Sequence, residues 1–325
     1  MINVRLHNER PQDIDLATVF ARYKAQRATT VRSNEQIARS LRLAEDHFGA
    51  IVLAELTPGM LEDWGRTLVR AGAATGYVRR IMTDVRSALN WVRKRGEVAA
   101  IPYVPVTAFD EGRARERIIT AEETARLLMV AEPEWLRRFI MIAAATGART
   151  EAILELSPFQ IDRERGLIDF RVPGRRETKK RRPVVRIAPQ LAPWLTASKD
   201  RLVGRGKKAL GIQWREAREA ARLGEDVVPT TFRHTLHTLF DEQFVPESEV
   251  LDWFARPRAD KSTDHYTKRR IYRDEYLSSA VDTVAKWLAE VENETARLRA
   301  SAPGDPIIST SLRASCVPTR LSTLG

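Results

Sequence analysis

Through most of the first hundred residues, apolar positions return every three to four places, and that period predicts helices. Leu16, Val19, Phe20 and Tyr23 fall on one face of a first helix. Ser33 reads as an N-cap with Gln36 at capping-box spacing, opening a second helix through Ile37, Leu41, Leu43 and Ala44 to Phe48 and Gly49. Thr57 followed by Pro58 has the cap-then-proline signature of a third, which carries Met60, Leu61, Trp64 and Leu68. A fourth is expected from about Ala74 to Arg95, with Val78, Ile81, Met82, Val85, Leu89, Trp91 and Val92 as its apolar stripe and Gly96 as its stop. The stretch Ile101-Pro102-Tyr103-Val104-Pro105 then breaks the period and reads as an extended linker.

A second domain is expected from about Ile118, where Thr120 precedes Glu123 at capping-box spacing. Helical periodicity runs through Leu127, Leu128, Leu136, Phe139, Ile140 and Ile142 to Thr146-Gly147. The period then changes to two. Residues 166–172 and 183–187 read as half-buried strands, with Pro173-Gly174 as a turn and the basic run Arg175 to Arg182 as the hairpin connection. Helices resume at Leu191–Trp194, Trp214–Arg222 and Thr231–Phe244, continue after Glu247, and end with one over about Asp274–Leu298. The expected class is mainly α with a small β-sheet: a short segment 1–12, a helical domain 13–100, a linker 101–117, a second domain 118–300 and a polar, disordered tail 301–325. A length of 325 residues suits two such domains.

Charge adds a partner to this picture. Lys and Arg number 54 against 43 Asp and Glu, a net charge of +11, which favours polyanions through Coulomb attraction and counterion release. The absence of a basic amphipathic helix with an exposed aromatic face, or of any membrane-length apolar run, points away from a membrane and towards nucleic acid. In the fourth helix, Arg79, Arg80, Arg86, Arg93, Lys94 and Arg95 are polar positions suited to a phosphate backbone, as are Arg175, Arg176 and Lys180 in the hairpin. Cys316 is the only cysteine, so no internal disulfide forms and a reducing cytoplasm is the expected setting. None of the five histidines has zinc-site spacing, so no metal is expected.

Four local patterns carry candidate chemistry. Ala145-Thr146-Gly147-Ala148-Arg149 ends one helix and opens the next, placing Arg149 where anions are favoured; pairing with Glu151 or Glu155 is the structural alternative. Lys179 lies in the hairpin, Thr231-Phe232-Arg233-His234-Thr235 begins a helix, and Asp264-His265-Tyr266-Thr267 precedes a basic stretch. Each alone is ordinary. In this order, and with Tyr266 following Arg233 by 266 − 233 = 33 residues, they resemble the catalytic domain of the tyrosine recombinase (phage integrase) family. The helical segment before them resembles that family's core-binding domain.

The resemblance implies that Arg149 and Arg233 clamp a scissile phosphate, that Tyr266 attacks phosphorus to form a 3′-phosphotyrosine link, and that Lys179, with Lys180 as rival, protonates the leaving 5′ oxygen. No cofactor is implied. The implied partners are double-stranded DNA attachment sites, a tetramer on two such sites and an accessory DNA-bending factor. Three positions depart from the family pattern. The histidine expected three residues before the second arginine is Thr230. The histidine or tryptophan expected nine residues before the nucleophile is Pro257, beside Arg256. The acid expected three residues after the first arginine is Ala152. A threonine still donates a hydrogen bond to phosphate, and Arg256 supplies one as well, but neither works as a proton shuttle at neutral pH. These departures favour a second reading, a recombinase-derived DNA-binding protein with weak or no cleavage.

Overall fold

The computed structural model describes residues 14–28, 34–112, 116–174, 181–196, 201–256, 271, 273 and 275–301. The expected cap at Ser33, the basic positions Arg175, Arg176, Lys179 and Lys180, the Asp264–Thr267 motif with Tyr266, and the expected tail beyond Ser301 lie outside the described residues. The chain divides into two compact units, Met1–Ala114 and Arg115–Gly325.

In the first unit, four helices form around one core: α1 (Leu16–Ala28), α2 (Asn34–Phe48), α3 (Pro58–Arg70) and α4 (Thr75–Lys94). The Thr57 side chain accepts from the Met60 N–H at 3.2 Å, with Pro58 in the first turn, so α3 starts where local chemistry predicts. Arg95 caps α4, and Gly96 follows at φ 74°, a left-handed stop. Leu16, Leu41, Ala44, Leu61, Ile81, Met82 and Leu89 are fully buried, so each helix turns its apolar stripe inward.

The linker expectation is corrected. Val104, Val106 and Phe109 are buried in the core of the first unit, which therefore includes residues 101–112. Phe109 lies on Gly65 of α3, where an added Cβ would come within 2.2 Å of its ring. Arg79 fastens the same segment: Nη1 donates to the Phe109 carbonyl at 2.9 Å and the Val106 carbonyl at 3.4 Å, and Nη2 to Glu111 at 2.7 Å. Prolines keep an α-helix out of this stretch, where Val106–Ala108 form only a single 3₁₀ turn, but apolar side chains and a cation still anchor it. Arg79→Ala leaves two carbonyls short of a donor and is expected to destabilise this unit by about 1–3 kcal/mol, read from urea unfolding.

In the second unit, α5 (Ala121–Val130) begins with the expected capping box: Glu123 N–H to Thr120 Oγ1 at 3.2 Å and Thr120 N–H to Glu123 Oε2 at 3.0 Å. Next come α6 (Glu134–Thr146), the short α7 (Thr150–Leu154) and a three-stranded antiparallel sheet in the order β1-β2-β3. β1 (Ile161–Asp162) pairs Ile161 with Ile168 of β2 (Leu167–Asp169), and β2 pairs Ile168 with Val185 of β3 (Val184–Arg186). The strands are shorter than the alternation suggested, and Pro189–Leu195 is a 3₁₀ turn rather than an α-helix. α8 (Lys207–Ala220), α9 (Thr231–Glu242), α10 (Glu247–Trp253) and α11 (Ser278–Ser301) follow among the described residues.

The apolar stripe of α11 turns inward. Ala280, Val284, Trp287, Leu288 and Val291 are buried in the unit's own core, with α11 lying against α5, α6, α9 and α10. No described helix is long and apolar enough to cross a membrane.

Candidate functional site

Where α6 ends, Gly147 adopts a left-handed conformation at φ 56° and turns the chain out of the helix. Ala148 and Arg149 then lead into α7, with Arg149 at its N-cap position. The two carbonyls at this corner are held from other helices. The Trp253 indole N–H donates to the Thr146 carbonyl at 2.9 Å, and Arg233 Nη1 donates to the Gly147 carbonyl at 3.0 Å. Arg233 stands in the first turn of α9, and its Nη2 also donates to the Phe254 carbonyl at 3.0 Å. Its guanidinium lies over the Phe254 ring, 4.7 Å from the centroid. A guanidinium has five N–H donors, so two carbonyl bonds leave others for a ligand. Arg149 Nη1 donates to the Arg181 carbonyl at 2.6 Å, joining the corner to the chain entering β3.

Arg256 completes the group. Ala255, at φ 49°, reverses the chain after α10, and the Arg256 N–H returns to the Leu251 carbonyl at 2.8 Å. Burial lowers the Arg149 pKa most, and the Arg256 charge lowers it further. Burial, then Arg149, then Arg256 push Arg233 down to about 10, so it stays charged at neutral pH. Arg149 and Arg233, from the α6–α7 corner and the start of α9, are partly buried, and the exposed Arg256 at the end of α10 lies near enough for its charge to act on both. Like charges gathered this way repel, and an anion placed among them would relieve that repulsion.

The remaining candidates are distributed as follows. Thr230 precedes α9 and is exposed; its carbonyl accepts the Arg233 N–H at 3.1 Å, and its side chain makes no capping bond. Ala152 is buried. The acids near Arg149 pair with other cations, Glu151 with Lys207 at 2.7 Å and Glu155 with Arg182 at 2.5 Å. His234 is exposed. Sequence reasoning missed Trp253 and Phe254, which brace the corner, and His237, whose ring stacks on Phe254. The adjacent aromatics at the end of a helix and the i, i+4 spacing of Arg233 and His237 were the available signals.

In the first unit, the expected DNA contacts divide. Arg79 is taken up inside the fold, which corrects that expectation, and Arg80 pairs with the buried Asp84 at 3.1 Å. Arg95 lies over Trp91 at 4.9 Å and pairs with Glu97 at 2.6 Å. Arg86, Arg93 and Lys94 line a shallow groove of about 520 Å³ with Arg27 of α1, Ser87, Asn90 and Trp91. Arg27, which also donates to the Tyr23 hydroxyl at 2.9 Å, was not foreseen at this surface. Among the described residues, no group of three or more His, Cys, Asp or Glu side chains is arranged to hold a metal ion.

No protein-family model matches the sequence, and no curated protein does. Solved structures do match. A lambda integrase dimer bound to a COC′ core site superposes with a TM-score of 0.62 at 13% identity, over 79% of this chain and 78% of that one. A lambda integrase tetramer bound to a Holliday junction gives 0.61 at 15%, over 78% and 81%. The Tn1549 transposon integrase in complex with circular intermediate DNA gives 0.58 at 11%, over 77% and 94%. At these identities the likeness is one of fold. The chain has the integrase fold, mainly helical with a small antiparallel sheet, as the ordered motifs implied.

Proposed function

We propose that this protein is a site-specific DNA recombinase that cleaves and rejoins DNA through a 3′-phosphotyrosine intermediate on Tyr266. The observation that carries this reading is that the half-buried Arg149 and Arg233 and the exposed Arg256 lie within range of one another's charge on an integrase fold. A pentavalent phosphate in the transition state bears more negative charge than the ground state. Fixed guanidinium donors therefore stabilise it selectively, without giving up a proton. Tyr266 supplies the nucleophilic oxygen: the new bond is to phosphorus, the 5′ oxygen leaves, and Lys179 or Lys180 gives it a proton. Attack by a 5′-hydroxyl on the phosphotyrosine reverses the step and exchanges strands, so no external energy source is required.

Pro257 stands where the family has a histidine or tryptophan, with the adjacent Arg256 supplying the hydrogen bond in this scheme, and Thr230 stands in the place of the first histidine. Both replacements keep a hydrogen-bond donor and remove a proton shuttle. That observation favours, as the second reading, a DNA-binding protein of recombinase ancestry with slow or absent cleavage. Under either reading the partner is duplex DNA. A tetramer on two sites and an accessory bending factor belong to the first.

DNA contact by the first unit is tested by salt titration. Changing Arg86, Arg93 and Lys94 together to glutamine is expected to lower the slope of log affinity against log salt by roughly 2.7, about 0.9 per lost phosphate contact. Changing Arg79 should leave the slope unaltered, because its guanidinium is already engaged. An unchanged slope in the triple variant excludes this groove from the interface. The cleavage step is tested by trapping Tyr266 on DNA.

A further inference from the structure

Beside the three arginines lies an imidazole that the proposed chemistry does not use. His237 follows Arg233 by one turn of α9, and its ring is nearly parallel to that of Phe254, with centroids 5.4 Å apart and 17° between planes. Phe254 is also the ring that seats the Arg233 guanidinium, and its carbonyl accepts from Arg233 Nη2. The Nε2 atom of His237 is enclosed by protein without a hydrogen-bonding partner. The same ring borders an open hollow of about 400 Å³ whose other polar walls are Arg256, Asp241 and Glu247. An enclosed, unpartnered ring nitrogen among cations is a costly arrangement, and it singles this histidine out from the exposed His234.

We propose that His237 is a proton-linked positioning residue: it stays neutral while the arginine cluster is empty and takes up a proton when a phosphate seats on Arg149, Arg233 and Arg256. This rests on reading the cluster as the scissile-phosphate site. The neutral ring packs on Phe254 and spares the empty cluster a fourth positive charge. Once a phosphate is bound, the imidazolium adds a charge close to Arg256 at small electrostatic cost.

The surrounding charges set the direction. Burial first and Arg256 second hold His237 below its ordinary value of 6.5; Arg233 acts in the same sense and Asp241, one turn further along α9, in the opposite one. Glu247, at the start of α10, faces the same hollow. An arriving phosphate offsets the repulsion from the arginines, so the proton affinity of His237 rises on binding. By linkage, phosphate binding tightens as pH falls through the range just below 6.5. The empty protein behaves oppositely. Its unfolded chain holds this proton better than the folded one, so stability falls over the same range.

The test is a histidine Cε1–H NMR titration of the full chain from about pH 5 to about pH 8, in sodium chloride and in sodium sulfate at equal ionic strength. Sulfate serves as a tetrahedral dianion that does not itself titrate there. The expected result is a His237 midpoint higher in sulfate by about one pH unit, a tenfold change in proton affinity. In Arg233→Ala the sulfate effect should vanish. If sulfate shifts the Nε–H resonances of Arg149 and Arg233 while the His237 midpoint stays put, the proton linkage is wrong and the phosphate site stands. If sulfate shifts no arginine resonance, the phosphate-site reading fails and this inference fails with it. His237→Phe, which keeps the stacked ring, should retain phosphate binding and lose its rise at low pH.

Discussion

Replacing Arg233 with lysine is expected to lower the rate of DNA cleavage by roughly 10²–10³-fold, the range seen when one preorganised donor is removed from an anionic transition state. The charge survives the change, so a purely electrostatic role would predict a small effect. Arg233 is a planar fork held in place by the Gly147 and Phe254 carbonyls and by the Phe254 ring. A lysine ammonium cannot reach both carbonyls and also present a second pair of donors to phosphate. Single-turnover cleavage isolates the chemical step, and gel-shift binding should weaken far less than the rate. A lysine variant that cleaves at the wild-type rate would remove Arg233 from the catalytic group.

The second large effect is expected from Gly147→Ala, in a residue that touches no DNA. At φ 56° any side chain is strained, which costs about 1–2 kcal/mol for an L-residue. Space is short as well: the added Cβ would come within 3.0 Å of the Phe254 ring and 3.3 Å of the Arg233 Cα. The Arg233 backbone cannot yield without shifting the start of α9, so the strain moves Arg233 itself. Loss of stability in urea, together with a fall in cleavage beyond what the unfolded fraction explains, is the expected pair of results. A loss of stability alone would make this corner a structural feature only.

The positions of Arg149 and Arg233 at helix starts were legible because each sits in a short local signature. Gly147 ends a helix just ahead of Arg149, and Arg233 opens a helix after a run of turn residues. Helix starts at Thr57 and Thr120 were equally local, since a cap and its partner lie three residues apart. What escaped reading depends on distant partners. Arg79 looked like a surface cation, yet it bonds carbonyls 27 and 30 residues away. The prolines at 102 and 105 hid the fact that Val104 and Phe109 are core residues. Arg256 was read as a phosphate donor from the motif order, but the left-handed turn at Ala255 that brings it there was not, since alanine does not advertise that conformation as glycine would. β1 spans two residues, too few for an alternation to register. The fold was more legible than the completion of this one site, because the order of motifs is a long-range signal that needs no contact map.

The direct test of phosphotyrosine chemistry is a nicked suicide duplex carrying the candidate attachment site, incubated without metal or ATP and resolved on a denaturing gel. Wild type, Tyr266→Phe and Thr230→His are compared. The expected result is a slowly migrating covalent protein–DNA band in wild type that is absent from Tyr266→Phe, with Thr230→His forming it faster. DNA bound by wild type with no covalent band, while Thr230→His forms one, would contradict an active recombinase and identify a DNA-binding protein whose cleavage was lost with the histidine at position 230.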